Sequence, residues 1–298
     1  MQALGTDAEE TRVSRSFLFV PGDSERKLAK APAAGADALI VDLEDAVAPD
    51  AKPAARQMTA DFLQDRDDTW VRINPVDTDL WEADVDAVVP ARPAGIVLPK
   101  PRHARDAVRL SEHVDVLENH HGIPHGQTKI IALCTEHPEA LLTLHSYVGS
   151  VPRLAGLSWG AEDLSTVVGA TAIRDAEGNW LPPYELARSM CLFAAAAAEV
   201  AAIDTVFTDF RNREGLIRYA ANARRDGFSG MLAIHPAQVE AINAAFEPTA
   251  EEIEQARRIV AAFEENQGAG TIGLDGKMID RPHLLQAQRV LQQAKIAN

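Results

Sequence analysis

Short apolar runs recur along the chain, and each is followed by a longer stretch that mixes apolar and charged residues. Within the runs, apolar residues follow one another almost without interruption, as in Ala-Leu-Ile-Val and Ile-Ile-Ala-Leu. Such continuity is typical of parallel strands that are buried on both faces, whereas half-exposed antiparallel strands alternate. The pattern predicts eight strands, at residues 16–20, 38–42, 69–73, 95–98, 129–133, 154–158, 202–206 and 229–234.

The stretches between the runs have the composition and length of helices. Ser24 precedes the first of them and is a candidate N-cap. The clearest predicted helices occupy residues 24–34, 103–119, 184–200 and 212–225.

The alternation of strands and helices predicts an α/β fold. Eight β/α units between about residue 15 and about residue 246 match a closed (β/α)8 TIM barrel, which usually takes ~250 residues. An open doubly wound sheet is the alternative, and it is expected to carry a Gly-x-Gly-x-x-Gly turn after its first strand. Val20-Pro21-Gly22-Asp23 stands at that place, which favours the barrel.

The chain continues beyond the barrel. A charged helix is predicted at residues 249–265, and another helix ends the chain. Gly268 and Gly270 lie between them and are typical of a hinge. We therefore expect a barrel at residues 15–246 and a helical extension over or beside it at residues 247–298.

The overall charge is strongly negative, because 44 acidic and 29 basic side chains among 298 residues give a formal net charge of -15. Such a chain repels nucleic acid and anionic lipid, so we expect neither as a partner, and an anionic substrate must meet local cations. The most apolar run, residues 190–198, is far shorter than the ~20 residues of a membrane span. Residues 1–14 are polar and acidic, which predicts a flexible tail and not an export signal. Cys134 and Cys191 are too few for a disulfide framework, which favours the cytoplasm.

Acidic residues follow the fifth and sixth predicted strands, at Glu136 and Asp163. In a β/α barrel the C-terminal ends of the strands meet at one rim, where functional residues collect. Several acids at one rim repel one another unless a cation intervenes, and Mg²⁺ commonly takes one or two carboxylates together with substrate and water oxygens. We therefore predict a Mg²⁺ site at Glu136 and Asp163. Rim carboxylates neutralised by nearby lysines or arginines are the alternative.

The second predicted strand ends in Asp42-Leu43-Glu44-Asp45, and the fourth ends in Lys100. An Asp-Leu-Glu-Asp turn can simply cap the helix that follows. The alternative is that Glu44 and Asp45 bind water held by the metal, and we place Lys100 in the same outer layer.

The third predicted strand ends in Arg72-Ile73-Asn74-Pro75, so Arg72 shortly precedes a proline turn. Its planar, permanently charged fork suits a carboxylate or a developing enolate oxygen. A structural salt bridge to Glu44 or Asp45 is the alternative.

Three basic residues follow the Pro-Gly turn after the first predicted strand, at Arg26, Lys27 and Lys30. Together with the N-terminus of their helix they are suited to bind phosphates. A solvated helix face is the alternative, and for such a run taken alone it is the commoner outcome.

These residues lie within motifs that resemble the citrate lyase β-subunit family. That family lies in the wider HpcH/HpaI aldolase superfamily and includes malyl-CoA lyases and citramalyl-CoA lyases. The resemblance runs in order from about residue 15 to the C-terminus, so it covers nearly the whole chain. The motifs are Arg15-Ser16-Phe17-Leu18-Phe19-Val20-Pro21-Gly22, Val41-Asp42-Leu43-Glu44-Asp45-Ala46-Val47, Val71-Arg72-Ile73-Asn74, Leu98-Pro99-Lys100, Gly160-Ala161-Glu162-Asp163-Leu164 and Asp275-Gly276-Lys277-Met278-Ile279-Asp280.

The resemblance implies a Mg²⁺-dependent TIM barrel that cleaves or forms a carbon–carbon bond in a 3-hydroxyacyl-CoA thioester. Glu136 and Asp163 fall where the family binds its metal, and Arg72 and Glu136 fall where it contacts substrate. Asp280 matches a catalytic aspartate on a C-terminal lid, which in these lyases closes over the active site of a neighbouring subunit. A lid that acts in trans implies a homo-oligomer, for which we expect a trimer or a dimer of trimers.

The resemblance also implies which residues hold the CoA ester, namely Phe19, Pro21, Gly22, Arg26 and Lys30. One motif departs from the family. The usual pattern around the metal glutamate is closer to Glu-Thr-Ala or Glu-Thr-Pro, whereas Thr135-Glu136-His137-Pro138 stands here, so His137 replaces a small hydroxyl residue.

The implied substrates are citramalyl-CoA, which yields acetyl-CoA and pyruvate, and malyl-CoA, which yields acetyl-CoA and glyoxylate. They differ by one methyl group, which is worth only ~1 to 3 kcal/mol of discrimination. The likeness to citramalyl-CoA lyases, including Ile279-Asp280 and the run at residues 207–211, slightly favours citramalyl-CoA. Three alternatives stay open: the β-subunit of a multisubunit citrate lyase that acts on a carrier-protein thioester, a malyl-CoA thioesterase, and a non-catalytic CoA-ester binding protein.

Overall fold

The computed structural model describes residues 14–297 apart from 65, 67 and 267, and at residues 295–297 it describes the backbone without the side chains. The predicted tail, residues 1–14, therefore lies outside the described residues except for Ser14. The chain divides into two compact units, Ser14–Ala245 and the described part of Phe246–Asn298.

Eight parallel strands form a closed barrel within the described residues of the first unit. Each strand pairs with its neighbour in chain order, and β1 pairs with β8 to close the barrel. The predicted (β/α)8 TIM barrel is confirmed, and the open doubly wound sheet is wrong. The strands are β1 Ser16–Pro21, β2 Ala38–Asp42, β3 Thr69–Arg72, β4 Gly95–Leu98, β5 Lys129–Leu133, β6 Leu154–Ser158, β7 Ala201–Asp204 and β8 Gly230–Ala233.

Apolar side chains fill the centre of the barrel. Phe17 of β1 pairs with Ala38 of β2 and with Leu232 of β8, so residues from neighbouring strands meet at the same level. Strands that are buried on both faces need apolar residues at nearly every position, which explains the continuous runs in the sequence. The buried interior cluster contains Phe17, Ala38, Ile40, Val97, Ile131, Leu133, Ile203 and Leu232.

A helix follows every strand of the barrel. The predicted helix at residues 24–34 is α-helical only to Lys30 and continues as a 3₁₀ turn, because Pro32 lacks the N–H that would extend it. Ser24 precedes this helix, but its side chain makes no capping hydrogen bond. No helix among the described residues is long and apolar enough to cross a bilayer. The helices are α1 Glu25–Lys30, α2 Lys52–Leu63, α3 Trp81–Val88, α4 Ala104–His121, α5 Pro138–Leu142, α6 Ala161–Val168, α7 Pro182–Ala197, α8 Arg213–Asp226 and α9 Pro236–Phe246.

The second unit contains two helices and a β-hairpin. Helix α10 begins with a capping box, in which Thr249 and Glu252 each accept a hydrogen bond from the other's backbone N–H. The hairpin is absent from the sequence prediction, which expects only a hinge and a final helix. Its turn at Asp275 and Gly276 has φ angles of 50° and 75°, as in the type I′ turns that favour Asp-Gly. The elements are α10 Ala250–Glu265, β9 Thr271–Leu274, β10 Lys277–Asp280 and α11 Arg281–Ala297.

Candidate active site

Glu136 and Asp163 lie at the C-terminal rim of the barrel, just beyond β5 and β6. Glu136 is 5% exposed and accepts a hydrogen bond from the backbone N–H of Lys100 at 2.7 Å. The turn after β6 passes directly against it, because a Cβ atom on Gly160 would lie 2.9 Å from Glu136 Oε1. Asp163 lies in the first turn of α6, close enough to repel the Glu136 carboxylate. The structure thus brings the predicted pair together.

The environment of Glu136 is unfavourable to a negative charge. Burial, followed by repulsion from Asp163 and Glu44, raises the pKa of Glu136 to about 8. The backbone N–H of Lys100 and the charge of Arg72 only partly oppose this rise. Further positive charge beside Glu136 would be needed to keep the carboxylate ionised at neutral pH.

Arg72 ends β3 directly opposite Asp42, which ends β2. Its Nε and Nη2 atoms donate to the two carboxylate oxygens of Asp42, each at 2.7 Å, and its Nη1 atom lies 2.9 Å from Glu44 Oε2. The guanidinium carbon lies 4.9 Å from the centroid of the Phe19 ring. Burial would raise the pKa of Asp42, but the contacts with Arg72 outweigh it and the pKa is lowered. Arg72 therefore forms the predicted alternative salt bridge to Glu44. Its second partner is Asp42, and not Asp45.

Lys100 links the acidic turn after β2 to the candidate metal ligand. Its Nζ atom lies 2.7 Å from Glu44 Oε1, 3.1 Å from Asp45 Oδ2 and 3.4 Å from Asp163 Oδ1. Its backbone has a φ of 51°, in the left-handed region, which places its N–H against Glu136 and its side chain among the acids. Burial lowers the pKa of Lys100, but the contact with Glu44 outweighs it and the pKa is raised, so this lysine stays charged.

A cavity of about 890 Å³ opens at this rim. Its wall contains Glu136, Asp163 and Arg72 together with the cations of α1, so acids and cations share one space. Of the residues predicted to bind substrate, the wall includes Phe19, Pro21, Arg26, Lys30, Arg72 and Glu136.

Gly22, also predicted to bind substrate, is not among the described residues that line the cavity. Its backbone N–H donates to the carbonyl oxygen of Asp42 at 2.9 Å, and a Cβ atom at this position would lie 2.9 Å from the same oxygen. Glycine is therefore required for the turn after β1 to pack against β2.

The cavity wall also contains residues that the sequence prediction misses. They follow β6, β7 and β8, and most are uncharged, whereas the prediction started from charged residues at strand ends. Each lies in the last residues of a predicted strand or just after one, and this position is the signal that could have found them. They include Trp159, Gly160, Glu162, Thr205, Val206, Thr208, Ile234 and His235.

The donor set at this rim fits Mg²⁺. Five carboxyl groups surround the two cations Arg72 and Lys100, which leaves an excess of negative charge when all are ionised. Carboxylate oxygens are hard ligands, and Mg²⁺ typically takes one or two of them while keeping waters. Among the described residues, no group of three or more His, Cys, Asp or Glu side chains is arranged as a metal site, so Glu136 and Asp163 are a pair of carboxylates only.

His137 caps a helix. Its Nδ1 atom accepts a hydrogen bond from the backbone N–H of Glu139 at 3.3 Å, at the start of α5. Small hydroxyl residues are themselves favourable N-caps, so His137 fills a position that such a residue could also fill. His137 is not among the described residues that line the cavity.

Asp280 ends β10 in the second unit. Its Oδ1 atom lies 2.5 Å from His283 Nδ1, and the side chain is partly exposed at 36%. Its predicted catalytic role stays a prediction.

Comparison with known proteins points to one family. The family model for HpcH/HpaI aldolase/citrate lyase matches residues 15–236. The chain is 37% identical over 290 residues to citrate lyase subunit beta of Haemophilus influenzae, with 95% of this chain and 98% of the relative covered. It is 34% identical over 294 residues to the (3S)-malyl-CoA thioesterase of Cereibacter sphaeroides, with 97% of each chain covered.

A solved structure agrees with these relatives. The protein CitE from Mycobacterium tuberculosis, in complex with magnesium, acetoacetate and coenzyme A, has a TM-score of 0.80 and 33% sequence identity. The match covers 95% of this chain and 99% of that chain. Magnesium in that complex is the metal that the sequence predicts here.

Proposed function

The chain belongs to the HpcH/HpaI aldolase/citrate lyase family and is a lyase, so we propose that it cleaves a carbon–carbon bond in a 3-hydroxyacyl-CoA thioester with the help of Mg²⁺. The proposed substrate is citramalyl-CoA, which gives acetyl-CoA and pyruvate. Malyl-CoA, one methyl group smaller, is the close alternative and gives acetyl-CoA and glyoxylate.

One observation carries this proposal. A single cavity is lined by the paired carboxylates Glu136 and Asp163, by the fork of Arg72, and by the cations Arg26 and Lys30. Such a cavity offers a metal-binding acid pair for one end of the substrate and positive charge for the phosphates of CoA at the other.

Glu136 and Asp163 would hold the metal. When bound there, Mg²⁺ supplies a Lewis acid for the carboxylate and hydroxyl oxygens at the acid end of the substrate. The backbone N–H of Lys100 donates to Glu136 Oε2, so the carboxylate is already oriented before the metal binds.

Arg72 is suited to bind the thioester oxygen. In the cleavage, the substrate hydroxyl loses its proton and the bond between the hydroxyl-bearing carbon and the carbon next to the thioester breaks. The hydroxyl-bearing carbon becomes the carbonyl of the keto acid, and the electron pair of the broken bond forms the enolate of acetyl-CoA. Asp42 and Glu44 fix the guanidinium in place, and an N–H on each terminal nitrogen is left over for the enolate oxygen. We propose that Asp280 then donates the proton that converts the enolate to acetyl-CoA.

Hydrolysis of the thioester is the second candidate, because a relative over the whole length of the chain is named a malyl-CoA thioesterase. The two reactions differ in the bond that breaks. Cleavage of the carbon–carbon bond releases a keto acid and no free thiol, whereas hydrolysis releases free CoA and no keto acid.

The test incubates the purified protein with Mg²⁺ and either (S)-citramalyl-CoA or malyl-CoA. Keto acid is trapped as its phenylhydrazone, and free thiol is measured in a parallel sample. We expect keto acid without free thiol, with Glu136→Gln and a sample treated with a chelator as inactive controls.

Three other results would overturn the proposal. Free thiol without keto acid would identify a thioesterase. Turnover only of a carrier-protein thioester, in the presence of partner subunits, would identify a citrate lyase β-subunit. Tight binding of the CoA esters without any product would identify a binding protein.

A further inference from the structure

Asp204 lies at the centre of a buried hydrogen-bond network behind the cavity. It is the last residue of β7 and is 0% exposed. Its Oδ1 atom accepts hydrogen bonds from the indole N–H of Trp159 at 2.6 Å, from the hydroxyl of Tyr219 at 3.0 Å and from the backbone N–H of Thr205 at 2.8 Å.

A partly buried cation binds the other oxygen of this carboxylate. Arg188 of α7 donates to Asp204 Oδ2 from Nη2 at 2.8 Å and from Nε at 3.0 Å. The same arginine reaches Asp226 with Nη1 at 2.6 Å. The two-pronged contact fixes the orientation of the Asp204 carboxylate, so the direction in which it accepts from Trp159 is fixed as well.

Trp159 connects the network to the metal-binding rim. It is 0% exposed, it lines the cavity, and it directly precedes Gly160. The backbone N–H of Gly160 donates to Thr135 Oγ1 at 3.2 Å, and its α-carbon is so close to Glu136 that a Cβ atom would lie 2.9 Å from the carboxylate. Asp163 follows within the next helical turn.

We infer that Asp204 is a positioning residue for the metal site: by holding the indole of Trp159, it fixes the turn after β6 against Glu136 and so sets the place of Asp163. The inference rests on the proposed function, since Glu136 and Asp163 are metal ligands only under it. Asp204 touches neither carboxylate. It acts through Trp159 and Gly160, and it thereby ties the ends of β5, β6 and β7 into one rigid rim.

Packing alone is a weaker explanation for the place of Trp159. Its ring does pack edge-on against Trp180, with centroids 4.9 Å apart, and this contact would hold the ring without any acceptor. The short bond to a carboxylate that is itself held by Arg188, Tyr219 and Thr205 adds a fixed direction to the ring. Partners that bond directly to metal ligands typically change metal affinity by 10–100-fold when they are removed, so an effect carried through Trp159 and Gly160 should lie at the lower end of that range.

The test compares two variants that each remove one hydrogen bond to the same oxygen of Asp204. Trp159→Phe removes the indole donor on the rim side, and Tyr219→Phe removes the phenol donor on the other side. Binding of Mg²⁺ to the full-length protein is measured by isothermal titration, and thermal unfolding is followed in parallel. We expect the Kd for Mg²⁺ to rise about tenfold in Trp159→Phe and to stay within about twofold in Tyr219→Phe.

Asp204→Asn and the double variant Asp204→Asn/Trp159→Phe complete the cycle. If Trp159 acts through Asp204, the double variant should bind Mg²⁺ about as weakly as the single variant that binds it less tightly. If the two substitutions act independently through packing, their losses of affinity should add in the double variant. KM and kcat of the same variants are also measured. A positioning role predicts that the variants need a higher Mg²⁺ concentration for activity while their affinity for the CoA ester stays unchanged.

The outcomes separate this inference from the proposed function. A wild-type protein that does not bind Mg²⁺ would overturn the proposed function. If the wild type binds Mg²⁺, any of three results would overturn the positioning role alone. Trp159→Phe could bind Mg²⁺ as tightly as the wild type, or Trp159→Phe and Tyr219→Phe could lose affinity equally. The third result is a loss in the double variant that equals the sum of the losses in the single variants.

Discussion

Arg72 is the residue at which shape matters as much as charge. A lysine would keep the positive charge but lose the fork that binds both oxygens of Asp42 while presenting further N–H groups to the cavity. We expect Arg72→Lys to lower kcat/KM by about 10²–10³-fold, as for loss of one donor to a developing oxyanion. Steady-state kinetics with the CoA ester measures the effect.

The matched control is Arg109→Lys. Arg109 also lies over an aromatic ring, 4.9 Å from the centroid of Trp81, but it is not among the described residues that line the cavity. Its activity should match that of the wild type. Equal activity of Arg72→Lys and the wild type would exclude a role for Arg72 at the enolate.

Lys100 should compete with a metal ion for the carboxylate of Asp163. The Lys100 ammonium lies 3.4 Å from Asp163 Oδ1, so it stabilises the metal-free acids and opposes the entry of a second cation. Lys100→Met should therefore tighten Mg²⁺ binding by about tenfold, an electrostatic change of ~1.4 kcal/mol. Isothermal titration measures the Kd. Lys27→Met is the control for net charge, since Lys27 also lines the cavity, and equal tightening in both variants would argue against direct competition.

Individual side chains at strand ends are predictable from the sequence, but their partners are not. The apolar runs place Asp42 and Arg72 at the ends of their strands. That they lie opposite each other follows from the register of β2 and β3, which the sequence does not contain in readable form. The exchange of a small hydroxyl residue for His137 is similar, because only the structure shows it as a helix cap.

At the scale of elements, one buried ion pair joins α4 to the starts of β5 and β6. Glu118 of α4 accepts from the backbone N–H groups of Gly126 and Thr128, each at 2.8 Å, and from Arg153 Nη1 at 2.8 Å. Glu118 and Arg153 are 1% and 2% exposed. Arg153 also pairs with Asp115, which is partly exposed. Glu118→Gln should therefore lower the free energy of unfolding at neutral pH by about 2 kcal/mol, because the buried arginine loses the buried one of its two counter-charges.

This loss should depend on pH. Burial would raise the pKa of Glu118, but the hydrogen bonds from Arg153, Thr128 and Gly126 outweigh it and the pKa is lowered from 4.5. A lowered pKa in the folded state means that the unfolded state binds the proton first as pH falls. The stabilisation is therefore complete above pH 4.5 and is lost as pH falls through the lowered folded pKa.

Urea unfolding of the wild type and Glu118→Gln at several pH values measures this dependence. The difference in unfolding free energy should be constant from neutral pH down to the unfolded pKa of 4.5 and should shrink as pH falls from there through the lowered folded pKa. Glu112→Gln changes an exposed residue of the same helix and should leave stability unchanged. A difference that grows towards acid pH would contradict the assignment.

The strands of the barrel are well predicted, with ends that differ by no more than two residues, because burial on both faces forces continuous apolar runs. The hairpin of β9 and β10 escapes prediction, because only four of its eight residues are apolar and most are partly or fully exposed. A half-exposed two-stranded ribbon gives only a weak hydrophobic pattern in the sequence. The Asp275-Gly276 pair is the local signal that identifies its turn.

At the scale of the whole molecule, closure of the barrel makes the site. The acids of β5 and β6 and the cations after β1 are far apart in the sequence and share one cavity because eight strand ends meet at one rim. The sequence predicts the charged part of that rim. The cavity residues that follow β7 and β8 include no Asp, Glu, Lys or Arg among the described residues, so no local chemistry marks Thr205, Val206 or Ile234 before the barrel is closed.

The second unit should contribute the proton donor. Asp280→Asn removes a carboxyl proton and keeps the shape of the side chain, so we expect turnover to fall by at least about 10²-fold while the Kd for the CoA ester changes by no more than about threefold. Single-turnover kinetics and isothermal titration measure the two quantities. Asp275→Asn is the control, because it alters an acid of the same hairpin at a left-handed position that asparagine tolerates. Equal loss of binding and turnover in Asp280→Asn would argue against proton transfer.

Whether Asp280 acts in a neighbouring subunit can be decided by mixing two inactive variants. Glu136→Gln should lack a functional barrel site, and Asp280→Asn should lack the proton donor. Neither variant should therefore turn over substrate alone. Co-expression mixes the two variants at random. If each barrel takes its donor from one neighbour, a site is active when its barrel belongs to an Asp280→Asn subunit and its neighbour is a Glu136→Gln subunit, which supplies an intact Asp280. About a quarter of the sites should then be active. A donor that acts within its own chain gives no active site in any mixture, so recovery of activity near that fraction would establish action in trans and require at least a dimer.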